Sequence, residues 1–223
     1  SFNISEVQKV WRDWQTLNAA ILAVAASTTA LWYSFHNDYT AQASQLESAR
    51  TGLLSRLNAL NNDLAECPPL LLEVWGQVNS NTKNPLKTKA PKFNESVEAR
   101  ILECIKRAPN RQTSLYLSET LGKLQVQDAR LRSLADDFSE DSNMSYNELN
   151  VWELFFACAE ITARVNRIFP WARNESDLDT KDLSFEEYET AYANIGVKNK
   201  QKYQAVYDSL KTFTQRRTLK RYS

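Results

Sequence analysis

The longest apolar run lies near the start of the chain. From Gln15 to Phe35 no residue is charged, and most side chains from Leu17 to Phe35 are apolar. Nineteen helical residues rise roughly 28 Å, close to the thickness of a bilayer's hydrocarbon core. Trp11 and Trp14 precede the run while Trp32 and Tyr33 close it, and amphipathic rings favour two water–lipid interfaces. The pattern predicts an amphipathic segment over 1–14, a transmembrane helix over 15–35 and a helical bundle over 36–223. Two other readings fit the same run. Asn18, Ser27, Thr28, Thr29 and Ser34 dilute it, as in a buried helix of a soluble bundle. Ala41-Gln42-Ala43 is a candidate cleavage site of a signal peptide, although the long polar stretch after Phe35 favours an uncleaved anchor.

After the run the helical pattern continues to Pro68-Pro69. Tyr39, Ala43, Leu46, Arg50, Leu53, Leu57, Leu60 and Leu64 recur at alternating spacings of four and three, a coiled-coil-like or bundle seam. Pro68 and Pro69 suit the first turn of a new helix, which carries Leu70, Leu71, Val74 and Val78 and ends near Asn79. A loop over 79–94 follows, then a short helix capped by Asn94 or Ser96 and closed by Pro109. Leu117, Leu121, Leu124, Asp128, Leu131, Ala135 and Phe138 form a second stripe, on a helix expected to start at Thr113 or Ser114. Ser145 and Glu148 have capping-box spacing before a helix that is apolar nearly all round until Pro170, the expected centre of the bundle. Ser184 and Glu187 form a second box, Gly196 is a left-handed C-cap, and a last helix carries Tyr203, Val206, Leu210 and Phe213. Nothing alternates as strands do, so the fold class is all-α, with the N-terminal transmembrane helix continuing into a long helix and then a multi-helix bundle.

Composition narrows the chemistry. In 223 residues, 27 Lys+Arg balance 27 Asp+Glu, which argues against a generic polyanion binder. One His (His36) and three scattered Cys (Cys67, Cys104, Cys158) cannot supply the usual zinc site or a disulfide framework. Four Gly leave little for phosphate-cradling loops. No catalytic, cofactor-binding or metal-binding residue is expected, and the chain reads as non-enzymatic. Charge is segregated: Asp136 to Glu189 carries a net −10, whereas Lys198 to Arg221 carries +7. The basic tail, with Lys211, Arg216, Arg217, Lys220 and Arg221, can meet lipid headgroups or the chain's own acidic stretch. It has no stacking platform and no groove-reading motif, so no nucleic-acid partner is expected.

Several positions stand out within the stripes. Arg50 and Asp128 occupy otherwise apolar positions, which either pairs them as a buried ion pair across the bundle or lets each snorkel to solvent. Glu153, Glu160, Arg164 and Arg167 share a face of the central helix, and an intrahelical Glu160–Arg164 pair explains them without acid–base chemistry. The three cysteines read as small core hydrophobes. Ala19, Ala23, Ala26 and Ala30 leave a smooth face for close helix–helix packing in lipid and hence for a homo-oligomer.

VWRDWQTLNAAILAVAAS near the start, Pro-Pro-Leu-Leu-Leu after the long helix and LQVQDARLRSL at 124–134 together resemble a group of uncharacterised bacterial single-pass membrane proteins. Where that group places several Arg just after the span, this chain has His36 and Asp38. The resemblance implies a bacterial inner-membrane protein with one membrane helix and an all-helical domain in the cytoplasm. It carries no catalytic residue. The expectation is a membrane-anchored, non-enzymatic helical scaffold, sensor or partner-binding protein; the alternative is a self-associating effector, toxin-like or part of phage defence, that perturbs the bilayer.

Overall fold

The computed structural model describes residues 4–138, 146–198 and 201–221, and within them every side chain except those of 4–23, 135, 202 and 219–221. The chain divides into two units, 1–45 and 46–223. Helix α1, Ile4–Ala65, contributes to both and runs without a break for 62 residues, as expected of a segment with no Pro and only Gly52 to interrupt it.

The second unit begins on the α1 seam. Ala49, Leu53, Leu57, Leu60 and Leu64 are buried there, at the spacing that puts successive apolar side chains on one helix face. α1 stops at Ala65, and α2 (Cys67–Asn79) restarts with Pro68 and Pro69 in its first turn, where a missing N–H costs nothing. Leu70, Leu71 and Val74 face the core. The loop that follows is tied down by polar side chains of α2: Glu73 accepts from Lys87 N at 2.7 Å and Thr88 N at 2.8 Å, and Gln77 Oε1 from Asn84 N at 2.6 Å.

α3 (Glu95–Lys106) is capped by Asn94, whose side chain accepts from Ser96 N. α4 (Arg111–Asp137) starts two residues before Thr113, because Asn110 is its cap and accepts from Thr113 N at 2.8 Å. α5 (Glu148–Ala172) is capped by Asn147 rather than Ser145, which lies outside the described residues. It also continues two residues past Pro170, whose fixed φ is compatible with a last helical turn. α6 (Phe185–Asn194) carries the expected Ser184–Glu187 capping box, and Gly196 follows it at φ 78°. A 3-10 turn, Gln201–Tyr203, leads into α7, Gln204–Arg221.

α5 packs against α2, α4, α6 and α7, and α3 packs on α4. Its buried residues lie all round it, from Val151 and Trp152 to Trp171 and Ala172, which is why its sequence is apolar on every face. Trp152 meets Trp75 of α2 at 6.1 Å between ring centroids, and Phe156 stacks on Tyr188 of α6 at 4.9 Å. Among the described residues the architecture is all-helical and has no strand.

Candidate functional site

In the first unit every residue of α1 from Val24 to Ala43 is exposed among the described residues. Trp32, Tyr33, Phe35 and Tyr39 are each more than 60 % exposed, far above what isolated surface hydrophobes explain. The seam expected from Tyr39 to Leu64 is therefore covered only from Leu46 onward. Trp32 stacks on His36 at 5.5 Å, and Ala25, Ala26, Thr29, Ala30 and Tyr33 line a shallow groove. The hydroxyls that dilute the run stay within the helix: Thr28 Oγ1 donates to the Val24 and Ala25 carbonyls at 3.0 and 2.9 Å, and Thr29 Oγ1 to that of Ala25 at 2.8 Å. Over the described residues no helix is long and apolar enough to cross a membrane. The side chains of Trp11, Trp14, Ala19 and Ala23 lie outside those residues.

Arg50 and Asp128 do not form the ion pair weighed from the sequence. Arg50 donates from Nη1 to Asn174 Oδ1 at 2.8 Å, and its guanidinium lies 4.2 Å from the centre of the Trp171 ring. Asp128, 7 % exposed, pairs with Arg132 one turn along α4. Asp128 thus has a partner on its own helix, whereas Arg50 has one distant in sequence. The aromatic platform and the amide under Arg50 come from the far end of α5 and could not be read from helical spacing.

The polar face of α5 has the expected intrahelical Glu160–Arg164 pair, and its shorter contacts run to other elements. Glu160 meets Lys123 of α4 at 3.1 Å, closer than the 3.8 Å to Arg164. Arg164 reaches Glu119 of α4 at 3.2 Å and lies 5.0 Å from the Tyr116 ring, whose hydroxyl burial pushes up to about 12. Arg167 holds Glu187 at 2.5 Å and donates to the Lys181 and Asp182 carbonyls at 2.5 and 3.0 Å, so it fastens the 173–184 loop and the start of α6 to α5. Gln127, unremarked in the sequence, donates to Leu154 O at 3.1 Å and to Cys158 Sγ at 3.2 Å. These partners read as α4–α5 register and loop fastening.

All three cysteines are buried and unpaired. The neighbouring Cys158 thiol and burial push Cys67 well up, and burial pushes Cys104 up to about 11, the opposite of what a reactive thiol needs. Part of the basic tail is neutralised by the acidic stretch: Arg217 pairs with Glu153, and Lys211 reaches Glu189 at 3.7 Å. Arg216 is exposed, and the side chains of Lys220 and Arg221 lie outside the described residues. Among the described residues no group of His, Cys, Asp and Glu could hold a metal ion. The second unit is a helical bundle, and the described residues of the first, from Val24 onward, are exposed. Compared with family models, curated proteins and solved structures, the chain matches none.

Proposed function

We propose that the protein is a membrane-anchored, non-enzymatic helical scaffold whose bundle binds a protein partner, with residues 15–35 as the anchor. The observation that carries this reading is the uncovered stretch of α1 from Val24 to Ala43, ending in Trp32, Tyr33, Phe35 and Tyr39. The charge-free part of that stretch, Val24 to Phe35, exposes Leu31, Trp32, Tyr33 and Phe35, and such a run favours a non-aqueous surrounding. The run is less apolar than a typical span because of its hydroxyl residues. Thr28 and Thr29 bond to their own helix, which lowers the cost of placing them in lipid. The absence of a paired acid and base or a metal cluster among the described residues leaves binding as the activity best supported.

The test is flotation of the full chain with liposomes followed by carbonate extraction. Wild type is expected to stay with the lipid. Ala26→Asp, at the middle of the run, places a charge costing about 2.5–3.5 kcal/mol at a helix centre and is expected to release the protein. Quantitative release of the wild-type chain by carbonate overturns the reading. A second reading, a self-associating membrane effector, rests on the small residues Ala26, Thr29 and Ala30 along the groove. It requires the detergent-solubilised chain to be larger than one copy and to shrink on Ala23→Leu and Ala26→Leu.

A further inference from the structure

Arg50 differs from every other half-buried or buried arginine among the described residues. Arg100 and Arg107 reach Glu103 at 2.5 and 3.1 Å, Arg164 reaches Glu119 at 3.2 Å, Arg167 reaches Glu187 at 2.5 Å, and Arg217 pairs with Glu153. Among the described residues Arg50 makes no ion pair. Its hydrogen-bond partner is a neutral amide, Asn174, its flat face lies on Trp171, and its Nε is buried with no partner. Taking a guanidinium partly out of water is costly, and a counter-charge ordinarily offsets that cost. Burial, the largest influence, lowers the Arg50 pKa against the opposing pull of Asp177 and Glu47.

The side chain lines a cavity of about 380 Å³ between α1 and the end of α5, within the range of small-molecule sites. Arg173 lines the same cavity. Its one ion pair runs from Nε to Glu175, at 3.0 Å, with both side chains about half exposed, so its two Nη groups are left for another acceptor. Leu54 and Ala172 supply an apolar surface. Asn174, at φ 60° and tied back by Asn174 N to Trp171 O at 3.1 Å, fixes the plane of the Arg50 fork without neutralising it.

We propose that this cavity binds a small organic anion, its carboxylate or phosphate end held between Arg50 and Arg173 and its body against Leu54 and Ala172. A guanidinium fork matches either oxyanion. Glu47 and Glu175 are also on the cavity wall and disfavour a second negative group, so singly charged ligands are preferred to dicarboxylates. The site lies wholly within 46–223 and does not depend on whether α1 enters a membrane.

Equilibrium dialysis of the full chain against labelled butyrate and labelled inorganic phosphate tests the proposal, with chloride-matched ionic strength and butanol as the uncharged control. One saturable site per chain is expected for at least one of the two anions and none for butanol. Saturation by butyrate alone marks a carboxylate site, and by phosphate alone a phosphate site. Arg50→Gln and Arg173→Gln are each expected to weaken binding about tenfold, while Arg216→Gln, in the exposed tail, leaves it unchanged. Arg173 is exposed, so its variant tests the site even where Arg50→Gln fails to fold. No saturation of either anion below about 10 mM, or binding that survives Arg173→Gln unchanged, overturns the proposal.

Discussion

Replacing Arg167 with alanine removes the fastener between α5 and the loop before α6. Its guanidinium makes two parallel bonds to Glu187, Nε to Oε1 at 2.5 Å and Nη2 to Oε2 at 2.6 Å, besides those to the Lys181 and Asp182 carbonyls. The Arg167 side chain is 11 % exposed and that of Glu187 32 %, so the pair is partly screened and falls short of the 3–5 kcal/mol for breaking a fully buried pair. The freed carbonyls lie in an exposed loop and recover water. A net loss of about 2–3 kcal/mol remains, or a fall in Tm of about 4–12 °C for a unit of this size. Arg167→Lys keeps the charge but not the fork and recovers less than half of the loss. The pH dependence has a definite sign. Burial pushes the Glu187 carboxyl up, but the bonds from Arg167 and from Ser184 N outweigh it and leave the group below its ordinary value of 4.5. A carboxylate depressed in the folded state stabilises above that ordinary value, and the contribution is lost as pH falls through the folded one. Thermal unfolding followed by far-UV circular dichroism should therefore show wild type and Arg167→Ala converging in acid. A variant that melts within about 1 °C of wild type at neutral pH, or a gap that widens in acid, refutes the reasoning.

Leu57→Ala, at a fully buried seam position, is expected to cost about 2–5 kcal/mol by leaving a cavity, read by the same melts. Combining Arg50→Glu with Asp128→Arg should give a destabilisation within about 0.5 kcal/mol of the sum of the single changes, since the two residues hold different partners; a double mutant restored to wild-type stability shows that they interact. Cys67, Cys104 and Cys158 should resist a thiol reagent such as DTNB at pH 8 until denaturant is added, and rapid labelling of the native chain contradicts their burial.

What could be read from the sequence was whatever rests on neighbours within one or two helical turns. The Ser184–Glu187 box, Gly196 and the apolar circumference of α5 are of that kind, and the structure has all three. The caps at Asn110 and Asn147 were displaced by two or three residues because clusters of Asn, Ser and Thr offer several side chains of equal capping strength. Periodicity identified the α1 stripe but not its covering: Leu57 and Tyr39 fit one seam, yet Leu57 is buried and Tyr39 is 73 % exposed. Apart from the Glu160–Arg164 contact, which their i, i+4 spacing announces, the partners of Arg50, Glu160, Arg164 and Arg167 lie on other elements. Lys123 lies 37 residues before Glu160, Glu119 lies 45 before Arg164, and Asn174 is 124 residues from Arg50.

The central position of α5 bears on how the chain is made. α2 buries Leu70, Leu71 and Val74 and packs on α5, yet α5 ends at Ala172, long after α2 ends at Asn79. At about 5–20 residues per second, a ribosome delivers the covering helix roughly 5–20 s after the surface it must cover. During that interval α3 and α4 can pair with each other, but the apolar face of α2 stays open. A nascent chain of this sequence therefore spends its synthesis as a client for whatever shields apolar segments in the cell, and a translational pause between α4 and α5 would lengthen that exposure.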